Sequence, residues 1–143
     1  MDFHQIFNDS YQRCQRHPQF FQIFYRNFWQ QEERFQKMFE NVDMTRQIKM
    51  LKLSILMIML ASTSEEAKDN IRRYARRHGP DGIGAQPEDF DIWIDSLLKA
   101  VKECDTHYNS DIDKAWRTCF KTGMEIMKQE TQLAHTGKIT QQH

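Results

Sequence analysis

Glycine and proline are scarce in this chain. It has five and three of them in 143 residues, and most fall in one stretch, HGPDGIGAQP, at 78–87. So few breakers elsewhere leave little room for the turns of a β-rich domain, and the rest of the sequence reads as helix. Cysteine is also sparse: Cys14, Cys104 and Cys119 are odd in number and lack a CxxC spacing. That argues against a disulfide framework or a thiolate zinc site, so all three are expected to be small buried apolar residues. There is no excess charge, because 20 basic residues balance 20 acidic ones. Nonspecific nucleic-acid binding would use a general positive field, and none is present. The uncharged run from Leu53 to Thr63 is too short to cross a bilayer, and the N-terminus MDFHQIFND is acidic and polar where a signal peptide is basic and then apolar. The composition therefore predicts a cytoplasmic protein with neither nucleic acid nor membrane as partner.

What is present is helical periodicity. Phe3, Phe7, Tyr11 and Cys14 predict a first helix over 2–16, ended by His17-Pro18. From Gln19 to Glu33 the residues Phe20, Phe21, Phe24, Tyr25, Phe28 and Trp29 make an aromatic face wider than one neighbour requires. A short helical turn at Phe35, Met38 and Phe39 precedes a long helix over 43–62, expected to run through the centre. Thr63 with Glu66 fits a capping box for the next helix, which stops at Gly79-Pro80. Pro87 suits the first position of a helix reaching Cys104, and Ser110 or Asp111 can cap a last helix to about Gln129. Residues 1–132 read as one domain, and 133–143 as a polar tail.

Six long helices and no strand candidate make an all-α domain, either a bundle or a globin. Unequal helix lengths, the bend near Phe39 and the loop after a histidine-bearing helix favour the globin. That histidine stands in RRYARRHG. Ile71, Tyr74, Ala75 and His78 share one face, while Arg72, Arg73, Arg76 and Arg77 fan toward the flanks. An imidazole on an apolar face is either a core residue bonded to a carbonyl or a ligand, and the face alone leaves both open.

Further residues carry a family resemblance. The second helix has the pair Phe24-Tyr25, and Phe39 follows the tyrosine by fourteen residues. Gln47 stands early in the long helix with Leu51 one turn later, and His78 comes near the end of the next helix. In this order the sequence resembles bacterial single-domain globins and the globin part of flavohaemoglobins, from the first helix to about Met127. The resemblance implies a three-over-three helical sandwich around haem b, with His78 as the iron ligand. It implies Phe39, Leu51 and Phe90 as haem contacts and Tyr25 and Gln47 as the distal residues facing a diatomic gas: oxygen, nitric oxide or carbon monoxide. A shift of one residue in the long helix would put Arg46 over the iron instead. The chosen register buries Met44, Ile48, Leu51 and Ile55 and leaves Lys52 near an inner edge.

Elementary chemistry adds roles. A metal-bound imidazole needs an acceptor for its other nitrogen, and the carbonyl of Tyr74, one turn before His78, can supply it. Arg76, Arg77 or Lys49 can pair with haem propionates, Arg77 being the preferred candidate. The sequence departs from flavohaemoglobins in three places. It ends at His143 without a reductase, and it has Phe90 and Thr131 where they set a tyrosine and a glutamate beside the proximal histidine, with Glu130 one residue off that face. The reading is a reversible oxygen-binding haem protein with no catalytic residue of its own. Nitric oxide dioxygenation is expected only if a separate reductase restores ferrous iron. The alternatives are a haem-based gas sensor acting through a partner and a haem-free globin-like signalling domain.

Overall fold

The structure, a computed structural model, describes residues 2–76 and 86–136. Among the described residues there are seven helices and no strand: α1 (Phe3–Arg16), α2 (Phe20–Trp29), α3 (Glu33–Met38), α4 (Met44–Leu60), α5 (Glu65–Arg76), α6 (Asp89–Cys104) and α7 (Ser110–Thr136). The expected order of helices is reproduced, including the short one before Phe39.

Local chemistry sets the ends. Asp2 caps α1 by accepting the Gln5 N–H at 2.9 Å, and α4 starts where the Asp43 carboxylate accepts the Thr45 N–H at 3.0 Å. Two caps differ from expectation. Ser64, not Thr63, accepts the Ala67 N–H at 3.1 Å, because the Thr63 hydroxyl turns back to the Leu60 carbonyl. For α7 the cap is Asn109, which accepts from the Ile112 N–H at 2.9 Å. Pro87 lies in the tight turn that feeds α6, and the Asp89 carboxylate accepts the Gln86 N–H at 2.8 Å. The last helix runs to Thr136, beyond the expected end near Gln129, because no breaker occurs before Gly137 and Thr131 is fully buried.

The chain divides into two compact units. The first combines residues 1–48 and 92–119. Its core holds Phe7, Phe20, Phe24, Phe28 and Phe35 with Leu97, Val101 and Trp116, all buried. One polar cluster lies within it. Asp105 accepts hydrogen bonds from the Ser10 hydroxyl at 2.6 Å, from Arg13 at 2.5 and 3.1 Å and from the His107 N–H at 2.9 Å. Ser10 in turn accepts from the Trp116 indole at 2.9 Å. Burial opposes the charge on Asp105, but these donors, Arg13 foremost, outweigh it and hold the carboxyl below its ordinary value.

The second unit combines residues 49–91 and 120–143. Here α4 and α7 meet at Gly123: a Cβ on this glycine would lie 2.7 Å from both the Cγ2 and the backbone oxygen of Ile58 and 2.9 Å from its Cα. Only glycine permits that approach. On α4, Leu51, Ser54, Ile55 and Ile58 are buried, whereas Leu53, Leu56 and Leu60 are exposed. The helix is therefore not enclosed on all sides, contrary to the expectation from its apolar sequence. All three cysteines are free and buried, as expected. Burial pushes the Cys14 thiol up to about 12 and Cys119 to about 11. Among the described residues no helix is long and apolar enough to cross a membrane.

Candidate functional site

In the first unit, α2 projects Tyr25 into an aromatic shell. Its ring centroid lies 4.8 Å from Phe24, 5.5 Å from Phe39 and 5.6 Å from Trp29, and the residue is only 3% exposed. Phe28 and Phe35 stack behind them at 4.3 Å, which ties α3 to α2 and fixes the bend that presents Phe39. A phenol this buried requires polar company. Gln47, in the first turn of α4, provides it: its side-chain Nε2 donates to the Tyr25 hydroxyl oxygen at 3.1 Å. The structure thus brings Tyr25, Phe39 and Gln47 together. Arg46, the alternative at this end of α4, is exposed, while Gln47 and Ile48 are half-buried. In the same shell the Trp29 indole nitrogen is buried and has no hydrogen-bond partner among the described residues. Sequence reasoning did not single it out.

In the second unit, Leu51 and Phe90 are buried at 3% and 7% exposure. Ile71 and Ala75 are fully buried and Tyr74 is half-buried, so the predicted inner face of α5 is the observed one. The described contact of Tyr74 is made by its hydroxyl, in a short hydrogen bond with Ser54. Ser54 sends its proton to the Met50 carbonyl at 2.8 Å, so Tyr74 acts as the donor to Ser54. Ser54 was missed by the sequence reading, although it is the one hydroxyl on the face that α4 shares with Leu51, Ile55 and Ile58.

Two of the predicted residues, His78 and Arg77, lie outside the described residues. Arg76 reaches Glu130 at 3.4 Å, which joins the end of α5 to α7. It is not the uncommitted cation that the propionate reading wanted. Arg72 pairs with Asp69 and Arg73 with Asn70, both on the same helix. Lys49 is exposed, and so is Lys52, which is therefore not at an inner edge. Thr131 is fully buried, and its hydroxyl has no hydrogen-bond partner among the described residues.

Donors embedded in aromatic and aliphatic walls suit a flat apolar macrocycle with a small polar ligand. A protein from Pseudomonas aeruginosa PAO1, described as structurally highly homologous to a human hemoglobin, matches with a TM-score of 0.83 and 28% identity, covering 91% of this chain and 98% of that one. The chain has a globin fold. No family model and no curated protein matches its sequence. Haem is the cofactor that a globin fold implies, and the buried aromatic shell with its Tyr25–Gln47 pair in the first unit fits it. Among the described residues no group of three or more His, Cys, Asp or Glu side chains is placed to hold a metal ion.

Proposed function

We propose that this globin holds one b-type haem through His78 and binds oxygen and other diatomic gases reversibly at a five-coordinate iron. The observation that carries the reading is the Tyr25–Gln47 pair, two neutral donors set in an otherwise apolar shell. Haem would supply the metal centre to which a gas coordinates. His78 is assigned as its ligand, with the Tyr74 carbonyl accepting from the other ring nitrogen.

The chain's own contribution is selectivity among gases. Tyr25 and Gln47 stabilise a ligand that draws charge from the metal, each by about 1.5–3 kcal/mol as for hydrogen bonds to charged groups. A less polar gas gains little from them. Phe39, Leu51 and Phe90 are the apolar side chains assigned as haem contacts. Arg77 is the cation assigned to the propionates, since Arg76 is held by Glu130. Conversion of nitric oxide and oxygen to nitrate is a reaction open to such a site, provided that a separate reductase returns one electron per turnover. Absorption spectra of the purified protein in ferric, ferrous and oxygenated forms test the reading. A haem globin shows three distinct spectra, and a haem-free signalling domain shows none.

A further inference from the structure

Half of the large apolar side chains exposed among the described residues lie on one line of α4. Leu53, Leu56 and Leu60 are 44%, 47% and 39% exposed. Their spacing of three and four residues keeps them on one helical face, opposite the buried Leu51, Ser54, Ile55 and Ile58. A contiguous leucine row facing water loses the burial that leucines ordinarily gain, and such patches mark contact surfaces. The row has charged ends. Lys49 stands one turn before Leu53 on the same line, with Lys52 beside it, and the exposed Glu65 and Glu66 open α5 just beyond Leu60. Glu65 pairs with Lys68, whereas Lys49 and Glu66 have no ion-pair partner among the described residues.

We propose that this face of α4 is the interface for a second copy of the chain, the two α4 helices crossing antiparallel about Leu56. A two-fold axis there sets Leu56 against its equivalent and Leu53 against Leu60 of the other copy. Lys49 lies seven residues before the axis, about 10 Å along the helix at 1.5 Å per residue, and so faces the turn of the other copy that leads into Glu65 and Glu66. The surface is thus its own complement, which is what an isologous dimer requires. A parallel crossing would place lysine against lysine. An anionic lipid surface would meet Glu65 and Glu66 as well as the lysines, so the charge pattern favours a second copy over a membrane. Three leucines per copy make a small core by the standard of tight dimers, so association is weak and depends on concentration.

Sedimentation of the full chain over a concentration series tests this. The wild type should pass from monomer to dimer. Leu56→Glu, which puts two carboxylates at the axis, should raise the dissociation constant about a hundredfold. Lys49→Glu should weaken the dimer, and adding Glu66→Lys should restore it. Circular dichroism should show unchanged helix content in every variant, because all the altered side chains are exposed. A wild type that stays monomeric up to about 1 mM, a dimer indifferent to Leu56→Glu, or binding to anionic vesicles in place of self-association would each overturn the proposal.

Discussion

The side-chain amide of Gln47 donates to the Tyr25 hydroxyl oxygen at 3.1 Å, joining the first turn of α4 to the middle of α2 inside an aromatic shell. The bond holds both donors in one place and orients the phenol. Tyr25→Phe should therefore raise the oxygen dissociation rate about tenfold or more, since one hydrogen bond to a partly charged ligand is lost. Carbon monoxide dissociation should change much less. Flash photolysis or stopped-flow mixing with both gases checks this, and equal effects on the two would mean that Tyr25 only shapes the pocket.

Gln47 acts on the same site from the other side. Gln47→Leu should raise oxygen dissociation by less than Tyr25→Phe does, and the double variant should show less than the product of the two single effects, because the residues touch. The double-variant cycle in oxygen off-rates measures that coupling. Strict additivity would contradict a working Tyr25–Gln47 pair.

Much of this was legible beforehand, for physical reasons. Helical periodicity reports burial well where one face is apolar and the other charged: Phe7 and Cys14 on α1, Ile71 and Ala75 on α5 and Leu97 and Val101 on α6 are buried as read, although Phe3 at the start of the α1 stripe is exposed. It fails where a helix is apolar all round: nothing in LSILMIMLA shows that Leu53, Leu56 and Leu60 face outward. Caps are decided by which of two adjacent hydroxyl or amide side chains reaches the N–H, so Ser64 displaced Thr63 and Asn109 displaced Ser110 and Asp111. Side-chain pairs between helices, such as Tyr74 with Ser54 and Arg76 with Glu130, have no sequence signal, since each partner is ordinary on its own helix.

The proximal side leads to a prediction through Glu130. It is paired with Arg76, and Thr131 beside it is buried and uncharged. On the proposed attachment, an imidazole with no carboxylate bonded to it would stay neutral and push little electron density toward the iron. The iron–histidine stretching frequency of the deoxy ferrous protein should match oxygen-storage globins and lie below that of peroxidases, with low peroxidase turnover. Resonance Raman spectroscopy measures it. A peroxidase-like frequency that drops in Glu130→Gln would show that Glu130 reaches the ring.

Stability should depend on the Asp105 cluster. Asp105→Asn weakens the Arg13 pair and the Ser10 bond in a buried setting and should cost about 2–4 kcal/mol, read from denaturant midpoints. The folded carboxyl lies below its ordinary value of 3.8, so its contribution is full above that value and is lost as pH falls through the lower folded one. The wild type should lose stability steeply below about pH 4, and Asp105→Asn should flatten that slope. An unchanged slope would mean that other carboxylates dominate acid unfolding.

Close packing at Gly123 allows a second stability test. Gly123→Ala must push α7 away from the Ile58 backbone, which no change of rotamer can relieve, and should cost about 1–3 kcal/mol despite the better helix propensity of alanine. Thermal melting measures the loss. Removing Cγ2 in an Ile58→Ala background should leave most of that cost in place, because two of the three close contacts are to backbone atoms.

The central claim is that His78 alone attaches the haem, and the visible absorption spectrum of His78→Ala beside the wild type tests it most directly. The wild type should carry one haem per chain, and replacing His4, His17, His107, His135 or His143 should leave its spectrum alone. His78→Ala should lose haem or bind it weakly, with added imidazole restoring the ferrous spectrum. Full haem retention and an unchanged spectrum in His78→Ala without imidazole would contradict the account.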